Sequence, residues 1–153
     1  MKKFVAVAGN IGVGKSTLVR MLCEHLGWQP FYEPVSENPY LADFYQDMRS
    51  WAFQSQIFFL TRRLRSHQQL LAQPASVIQD RSVYEDAEVF ACNLFRQGAM
   101  SDRDYHSYRE LYEVLVDFLP PPDLVIYLRA SPSTLLYRIA NRSFFWIQIF
   151  LAK

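Results

Sequence analysis

One short segment near the start of the chain constrains the fold more than any other feature. It reads GNIGVGKS and matches the phosphate-loop pattern G-x-x-x-x-G-K-[ST] at every required position. An apolar run precedes it and an amphipathic segment follows it, which is the strand–loop–helix context that such a loop needs. Backbone N–H groups in the loop and the positive end of the following helix bind phosphate. The predicted triphosphate-binding residues are Gly9, Asn10, Ile11, Gly12, Val13, Gly14, Lys15, Ser16 and Thr17.

Three side chains at the end of this loop have separate expected tasks. Lys15 would reach the β- and γ-phosphates as a point charge, and Ser16 would offer its hydroxyl to Mg²⁺. Thr17 adds a second hydroxyl near the α-phosphate. We therefore expect a nucleoside triphosphate with Mg²⁺ as the cofactor.

Composition and charge exclude several other classes of protein. The chain has 153 residues, of which 50% are hydrophobic and 20% charged, with a net charge of +1, so nothing indicates disorder or nucleic-acid binding. No apolar stretch is long enough to cross a membrane. Cys23 and Cys92 form no cysteine framework, and His25, His67 and His106 lack metal-ligand spacing, so we expect surface or capping roles for the histidines. These features predict one soluble domain in the reducing cytoplasm.

Short apolar runs alternate with segments of helical period, which predicts an α/β fold with a parallel sheet flanked by helices. Four strands are expected at residues 3–8, 29–33, 76–79 and 124–128, with the first of them central and the fourth buried. Helices are expected at residues 16–26, 51–72, 84–96, 101–119 and 131–140, and a further helix begins after residue 38.

Two acidic residues and an arginine follow the predicted strands at the edge where the phosphate loop lies. Glu33 ends the second strand, and Asp80 and Arg81 end the third. Carboxyl ends of parallel strands meet at one edge, so these side chains could accept a proton, hold Mg²⁺ and neutralise phosphoryl charge. An exposed or helix-capping acid and a surface ion pair remain the plainer interpretations of the same residues. The base-reading N/TKxD element of GTPases is missing from the sequence.

Four motifs in order resemble one family. After the phosphate loop come YEPVSENPYL at residues 32–41, WAFQSQIFFLTRR at 51–63 and DRSVYEDAEVF at 80–90. Together they closely resemble the deoxyribonucleoside kinases, and the SENPY variant is most similar to bacterial deoxyadenosine/deoxyguanosine kinases. The resemblance runs from the first residue to about Arg142. It implies a three-layer fold of the P-loop NTPase type, here with four strands because the family's fifth strand is missing.

The resemblance also implies an activity, which is transfer of the ATP γ-phosphoryl group to the 5′-hydroxyl of a purine deoxynucleoside. By residue-for-residue transfer, Glu33 takes the proton from that hydroxyl and Arg81 holds the hydroxyl and the transferring phosphate. Lys15 assists on the donor side, and Asp80 serves Mg²⁺ with Ser16. The family also implies a homodimer.

The nucleoside-binding residues come from the same transfer. Tyr45 falls on the family's tyrosine for the sugar 3′-hydroxyl, and Phe90 falls on the aromatic residue that stacks with the base. Gln56 falls on the base-reading glutamine, while Arg63 and Asp86 fall on the polar pair that reads the base edge. Without the resemblance, a solvated helix face for Gln56 and core packing for Tyr45 and Phe90 would be the better interpretations.

The pattern breaks near the end of the chain. Arg138 and Arg142 match the first two arginines of the family's phosphate-binding lid, but the third position is Phe144. Residues 144–151 then hold seven large apolar side chains and one glutamine. We predict a kinase domain at residues 1–142 and an apolar tail at 143–153 that is not family sequence, produced by a frameshift, a truncation or a gene-model error. With the lid incomplete, nucleotide binding is expected to survive better than turnover.

Two alternatives remain open from the sequence. A nucleoside monophosphate kinase of the thymidylate-kinase type also combines a phosphate loop with an Asp-Arg pair. It needs an arginine for the acceptor's phosphate, whereas this chain offers Glu33 and Glu37 in the corresponding segment. The other alternative is an inactive remnant that binds nucleotide without turnover.

Overall fold

The computed structural model describes residues 1–32 and 38–141. They form two compact units. The first contains Met1–Tyr32, Ala75–Arg81 and the described residues from Asp123 on, and the second contains the described residues of Glu33–Pro74 and Ser82–Pro122. Across these described ranges, no helix has the length and apolar character needed to span a membrane.

Strands and helices alternate along the chain as the sequence predicts. The strands are β1 (Phe4–Gly9), β2 (Gln29–Phe31), β3 (Val77–Asp80) and β4 (Leu124–Leu128). The α-helices are α1 (Lys15–Leu26), α2 (Leu41–Gln46), α3 (Met48–Ala72), α4 (Val83–Glu85), α5 (Cys92–Arg96), α6 (Asp102–Val116) and α7 (Pro132–Asn141), and a π-helix occupies Asp86–Ala91.

The first unit is built on a parallel sheet with the strand order β2-β3-β1-β4. The central position predicted for the first strand is confirmed. One face of the sheet packs against α1 through Val5, Val7, Val19, Cys23 and Ile78, which form a buried cluster. The β-branched and apolar runs form strands because their side chains fit a pleated surface that is buried.

The prediction that the fourth strand is buried is wrong. β4 pairs with β1 on one side and lies at an edge of the described sheet. Leu124, Val125 and Tyr127 are 55%, 54% and 69% exposed. An apolar run identifies a strand, but its burial depends on which neighbours cover it.

The second unit is helical, and α3 is its longest element. Asp47 caps α3 by accepting a hydrogen bond from the Ser50 N–H at 3.2 Å, so the helix begins earlier than the predicted residue 51. Buried side chains recur along one face of α3 at helical spacing, and His67 is among them with no exposed surface. The surface or capping role expected for His67 is therefore wrong, because its position on the buried stripe outweighs its polarity.

The helix predicted at residues 84–96 contains a π-helical turn. It starts as α4, widens over Asp86–Ala91 and continues as α5. Such turns are rare and occur often at functional sites. Ala87 and Ala91 from this turn pack in a buried cluster with Leu60 and Tyr108.

Candidate active site

The phosphate loop adopts a backbone that requires its glycines. Gly9, Gly12 and Gly14 have φ angles of 145°, 77° and 107°, which lie in a region that residues with a side chain rarely adopt. Helix α1 begins directly after Gly14, and no side chain of the described residues caps it. The first N–H groups of α1 therefore need another acceptor, and an anion bound in the loop would satisfy them.

Lys15 is 8% exposed, and its ammonium group contacts the loop backbone. Its Nζ donates to the carbonyl oxygens of Gly9 at 2.8 Å and Asn10 at 3.1 Å. The two carbonyls hold the ammonium group beside the loop, and from there the Lys15 side chain can reach a bound phosphate. This placement fits the predicted donor-side role of Lys15.

Ser16 and Asp80 meet although they are 64 positions apart in the chain. The Ser16 hydroxyl donates to Oδ2 of Asp80, whose carboxylate is 5% exposed. The other oxygen, Oδ1, is buried and has no hydrogen-bond partner among the described residues. One hydroxyl and one carboxylate with an unused oxygen are the protein ligands that Mg²⁺ takes when phosphate oxygens supply the rest. The two residues thus fit the predicted ion.

Arg81 follows Asp80 with a φ of 65°, the only positive φ at a non-glycine residue in the described part of the chain. Its N–H donates to the Val7 carbonyl at 3.0 Å, which ties the end of β3 to the central strand. A left-handed arginine is strained, and such strain is concentrated at functional sites. The conformation supports a functional assignment of Arg81.

Helix α7 reaches the loop from the side. Arg138 donates from Nη1 to the Val13 carbonyl at 2.8 Å. A Cβ added to Gly12 would lie 2.9 Å from Cγ1 of Ile139. A cavity of about 500 Å³ opens beside these contacts and is lined by Gly12, Val13, Gly14, Thr17, Leu18, Met21, Tyr137, Arg138 and Asn141.

In the second unit, the two residues predicted to read the base edge contact each other. Arg63 on α3 donates from Nε to Oδ2 of Asp86 at 3.0 Å, and each side chain is 4% exposed. A charge buried this deeply needs a partner, and each residue supplies it for the other. The two residues thus form a buried ion pair with each other, and their predicted role in reading the base edge stays a prediction.

The other three nucleoside-binding candidates also lie in the second unit. Gln56 is 6% exposed on the buried face of α3. Tyr45 is partly buried, and its ring contacts Phe44 edge to face at 5.2 Å between centroids. Phe90 is partly buried in the π-helical turn that also carries Asp86. Burial rules out a solvated face for Gln56, while the roles of all three residues stay predictions.

Comparison with known proteins decides the family. The profile of the family described as deoxynucleoside kinase matches residues 5–148. The chain belongs to the deoxynucleoside kinase family. This family member is 41% identical over 140 residues to deoxyadenosine/deoxycytidine kinase of Bacillus subtilis (strain 168), covering 90% of this chain and 64% of that protein. It is 42% identical over 139 residues to deoxyadenosine kinase of Dictyostelium discoideum, covering 91% of this chain and 56% of that protein.

A solved structure gives the same result for the fold. Deoxyadenosine kinase from M. mycoides, with the products dCMP and dCDP bound, matches with a TM-score of 0.82 and 35% identity. The match covers 91% of this chain and 70% of that one. The family resemblance and the P-loop-type α/β fold predicted from the motifs are confirmed. The chain spans 64% and 56% of the lengths of the two curated relatives.

Two predicted site residues of this family member lie outside the described residues. They are Glu33, the predicted proton acceptor, and Arg142, the second lid arginine. The predicted tail at residues 143–153 also lies outside them. These assignments therefore stay predictions.

Two features of this kinase-family chain were missed from the sequence: the burial of one histidine in α3 and one contact of the phosphate loop. The first is His67, which a count of the buried stripe through Gln56, Leu60 and Arg63 at spacings of three and four would have found. The second is the Val13 carbonyl as the partner of Arg138. No sequence signal marks a main-chain acceptor, because every residue carries one.

Proposed function

We propose that this chain transfers the γ-phosphoryl group of ATP to the 5′-hydroxyl of a purine deoxynucleoside, deoxyadenosine or deoxyguanosine. The product is the 5′-monophosphate, as in nucleotide salvage. The observation that carries the proposal is the contact between Ser16 and Asp80 beside the phosphate loop, because it joins a triphosphate site to a carboxylate suited to Mg²⁺. The names of the curated relatives support the same activity.

On the donor side, the loop N–H groups and Lys15 bind the β- and γ-phosphates. The cavity beside α7 offers space for the rest of the nucleotide, with Thr17 on its wall. Ser16 and Asp80 would hold Mg²⁺, which when bound neutralises charge on the β- and γ-oxygens. Arg138 and Arg142 belong to this donor side as well.

On the acceptor side, Glu33 takes the proton as the 5′-oxygen forms its bond to the γ-phosphorus. The bond from that phosphorus to the bridging oxygen breaks, and ADP leaves with the electron pair. Arg81 orients the hydroxyl and stabilises the negative charge of the transferring group. Every atom of the transferred group comes from ATP, so no further reactant is needed.

The buried pair of Arg63 and Asp86 supports a nucleoside acceptor. A guanidinium donates and a carboxylate accepts, so together they can read the mixed edge of a purine. Gln56 adds an amide with one donor face and one acceptor face, while Phe90 stacks with the base and Tyr45 binds the 3′-hydroxyl.

We infer a cytoplasmic homodimer that acts on small molecules. The homodimer follows from the family resemblance, and the cytoplasm follows from Cys23 and Cys92, which are both free thiols.

A panel of acceptors tests the activity. The initial rate is measured with ATP and Mg²⁺ for deoxyadenosine, deoxyguanosine, deoxycytidine, thymidine and the four corresponding monophosphates. We expect the highest kcat/KM with a purine deoxynucleoside. Turnover of monophosphates alone would instead identify a nucleoside monophosphate kinase, and ATP binding without any turnover would identify an inactive remnant.

A further inference from the structure

We infer that Arg138 is a positioning residue of the phosphate loop, which acts through the Val13–Gly14 peptide rather than by touching the transferring phosphate. This inference rests on the proposed function for its substrate, ATP. Arg138 is inferred to fix the conformation of the loop before phosphate binds. The experiment therefore measures ligand affinity rather than turnover.

The hydrogen bond between Arg138 and Val13 fixes one peptide of the loop. Nη1 of Arg138 lies 2.8 Å from the Val13 carbonyl oxygen, and the Val13 residue is 6% exposed. The carbonyl and the N–H of a trans peptide point in opposite directions. A donor that holds the Val13 carbonyl on the α7 side therefore directs the Gly14 N–H away from α7.

That N–H is worth fixing because it belongs to the set that binds phosphate. Gly14 is the last residue before α1, with a φ of 107°, and it has no Cβ to restrict the orientation of the Val13–Gly14 peptide. A hydrogen bond from a guanidinium is charge-assisted and also polarises the peptide, which makes the N–H a stronger donor. Arg138 thus both orients the Gly14 N–H and strengthens it.

The next residue of α7 supports the same loop without any charge. A Cβ on Gly12 would meet Cγ1 of Ile139 at 2.9 Å and the Leu135 carbonyl oxygen at 3.3 Å, so α7 packs against Gly12 with no space between them. Gly12 is therefore needed for the approach of α7 as well as for its own φ of 77°. Ile139 and Arg138, which are adjacent in α7, thus contact two adjacent residues of the loop, Gly12 and Val13.

A positioning role and a direct lid role predict different kinetics. An arginine that touches the transferring phosphoryl group lowers kcat when it is removed and leaves ground-state binding little changed. Removal of an arginine that positions the loop weakens the binding of every ligand of the loop, whether or not that ligand has a γ-phosphate to transfer. Removing the apolar contact of Ile139 must then weaken ligand binding, as removing Arg138 does.

The experiment is isothermal titration of the full chain with ADP and with inorganic tripolyphosphate. The variants are Arg138→Met, Arg138→Lys and Ile139→Ala, and the matched control is Arg20→Met, an exposed arginine of α1 paired with Glu24. Thermal unfolding of each variant verifies that it is folded. The loss of a charge-assisted hydrogen bond predicts that Arg138→Met binds both ligands about 10- to 100-fold more weakly.

We expect Arg138→Lys to recover part of this affinity. Ile139→Ala should lower the affinity for both ligands, and Arg20→Met should leave both affinities unchanged. The inference is overturned if Arg138→Met binds ADP and tripolyphosphate like the parent while kcat falls. It is also overturned if Ile139→Ala binds both ligands normally while Arg138→Met does not, since that result places the arginine on the phosphate itself. A parent chain that binds both ligands but phosphorylates no nucleoside refutes the proposed function and leaves this inference standing.

Discussion

Arg63 and Asp86 form a buried ion pair across 23 positions of the chain, with 3.0 Å between Nε and Oδ2 and 4% of each side chain exposed. A pair this deeply buried adds little net stability, because the loss of hydration offsets the attraction. In the proposed function, the pair presents one fixed donor and one fixed acceptor to the base. Helix α3 supplies the arginine and the π-helical turn supplies the carboxylate.

Breaking this pair on one side is expected to destabilise the protein strongly. Asp86→Ala leaves the Arg63 guanidinium buried without this carboxylate, which predicts a loss of about 3–5 kcal/mol in the free energy of unfolding. The double variant Arg63→Met with Asp86→Leu removes both charges and should lose less. Urea unfolding measures both, with Arg20→Met at an exposed pair as the control. Equal losses for the single and double variants would contradict the account of the pair.

Gly9 is expected to be the glycine of the loop that tolerates a side chain least. A Cβ there would lie 2.6 Å from the Leu128 carbonyl oxygen, and that backbone atom cannot move aside without shifting β4. Strain of about 1–2 kcal/mol and overpacking of about 1–3 kcal/mol predict a loss of about 2–5 kcal/mol for Gly9→Ala.

Gly27→Ala is the matched control for this change. Gly27 also has a positive φ, 68°, but a Cβ there meets nothing within 4 Å. Chemical unfolding should therefore show the strain of about 1–2 kcal/mol alone for Gly27→Ala. A Gly9→Ala protein as stable as Gly27→Ala would show that β4 does not pack as closely as described.

Lys15→Met should impair the donor site without disturbing the fold. Nζ of Lys15 makes hydrogen bonds to loop carbonyls that water can replace, so the midpoint of unfolding should change little. Loss of one preorganised donor predicts a fall of about 10²–10³ in kcat. Lys15→Arg keeps the charge but replaces a point charge by a planar fork, so it should recover only part of the rate. Steady-state kinetics with a purine deoxynucleoside measure these rates, and normal turnover of Lys15→Met would contradict the donor-side assignment.

His67 should make stability depend on pH. Burial lowers the pKa of His67 below its ordinary value of 6.5, and a hydrogen bond to the Pro120 backbone opposes the shift in part. The unfolded chain therefore binds a proton more readily than the folded protein does. Stability from this residue is complete above about pH 6.5 and decreases as the pH falls toward the lower folded pKa.

The comparison that isolates His67 is the slope of the unfolding free energy between pH 7.5 and 5. We expect His67→Gln to have a smaller slope than the parent, whatever its stability at pH 7.5. The exposed His25→Gln serves as the control and should keep the parent's slope. A His67→Gln slope equal to the parent's would show that His67 takes up its proton equally in both states.

The elements that sequence predicts best here are those whose side chains carry the signal themselves. The glycines and Lys15 define the phosphate loop, and apolar runs such as 4–8 mark strands. Parallel pairing then predicts that Asp80 and Ser16 approach each other, as they do.

The features that sequence misses depend on partners distant in the chain. The exposure of β4 follows from which strands lie beside it, and its own residues do not encode that. The π-helical turn at Asp86–Ala91 has no composition that separates it from an α-helix. The acceptor for Arg138 is a main-chain carbonyl 125 positions away, which no motif records.

The most direct test of the kinase proposal is the fate of the label from ATP carrying ³²P at the γ-position, incubated with Mg²⁺ and deoxyadenosine or deoxyguanosine. We expect the label to appear in the deoxynucleoside 5′-monophosphate, in amounts equal to the ADP formed. Label that stays in ATP or appears only as inorganic phosphate would contradict the kinase proposal. The proposal would also be contradicted if a deoxynucleoside takes up no label while a deoxynucleoside monophosphate, supplied in its place, is converted to labelled diphosphate.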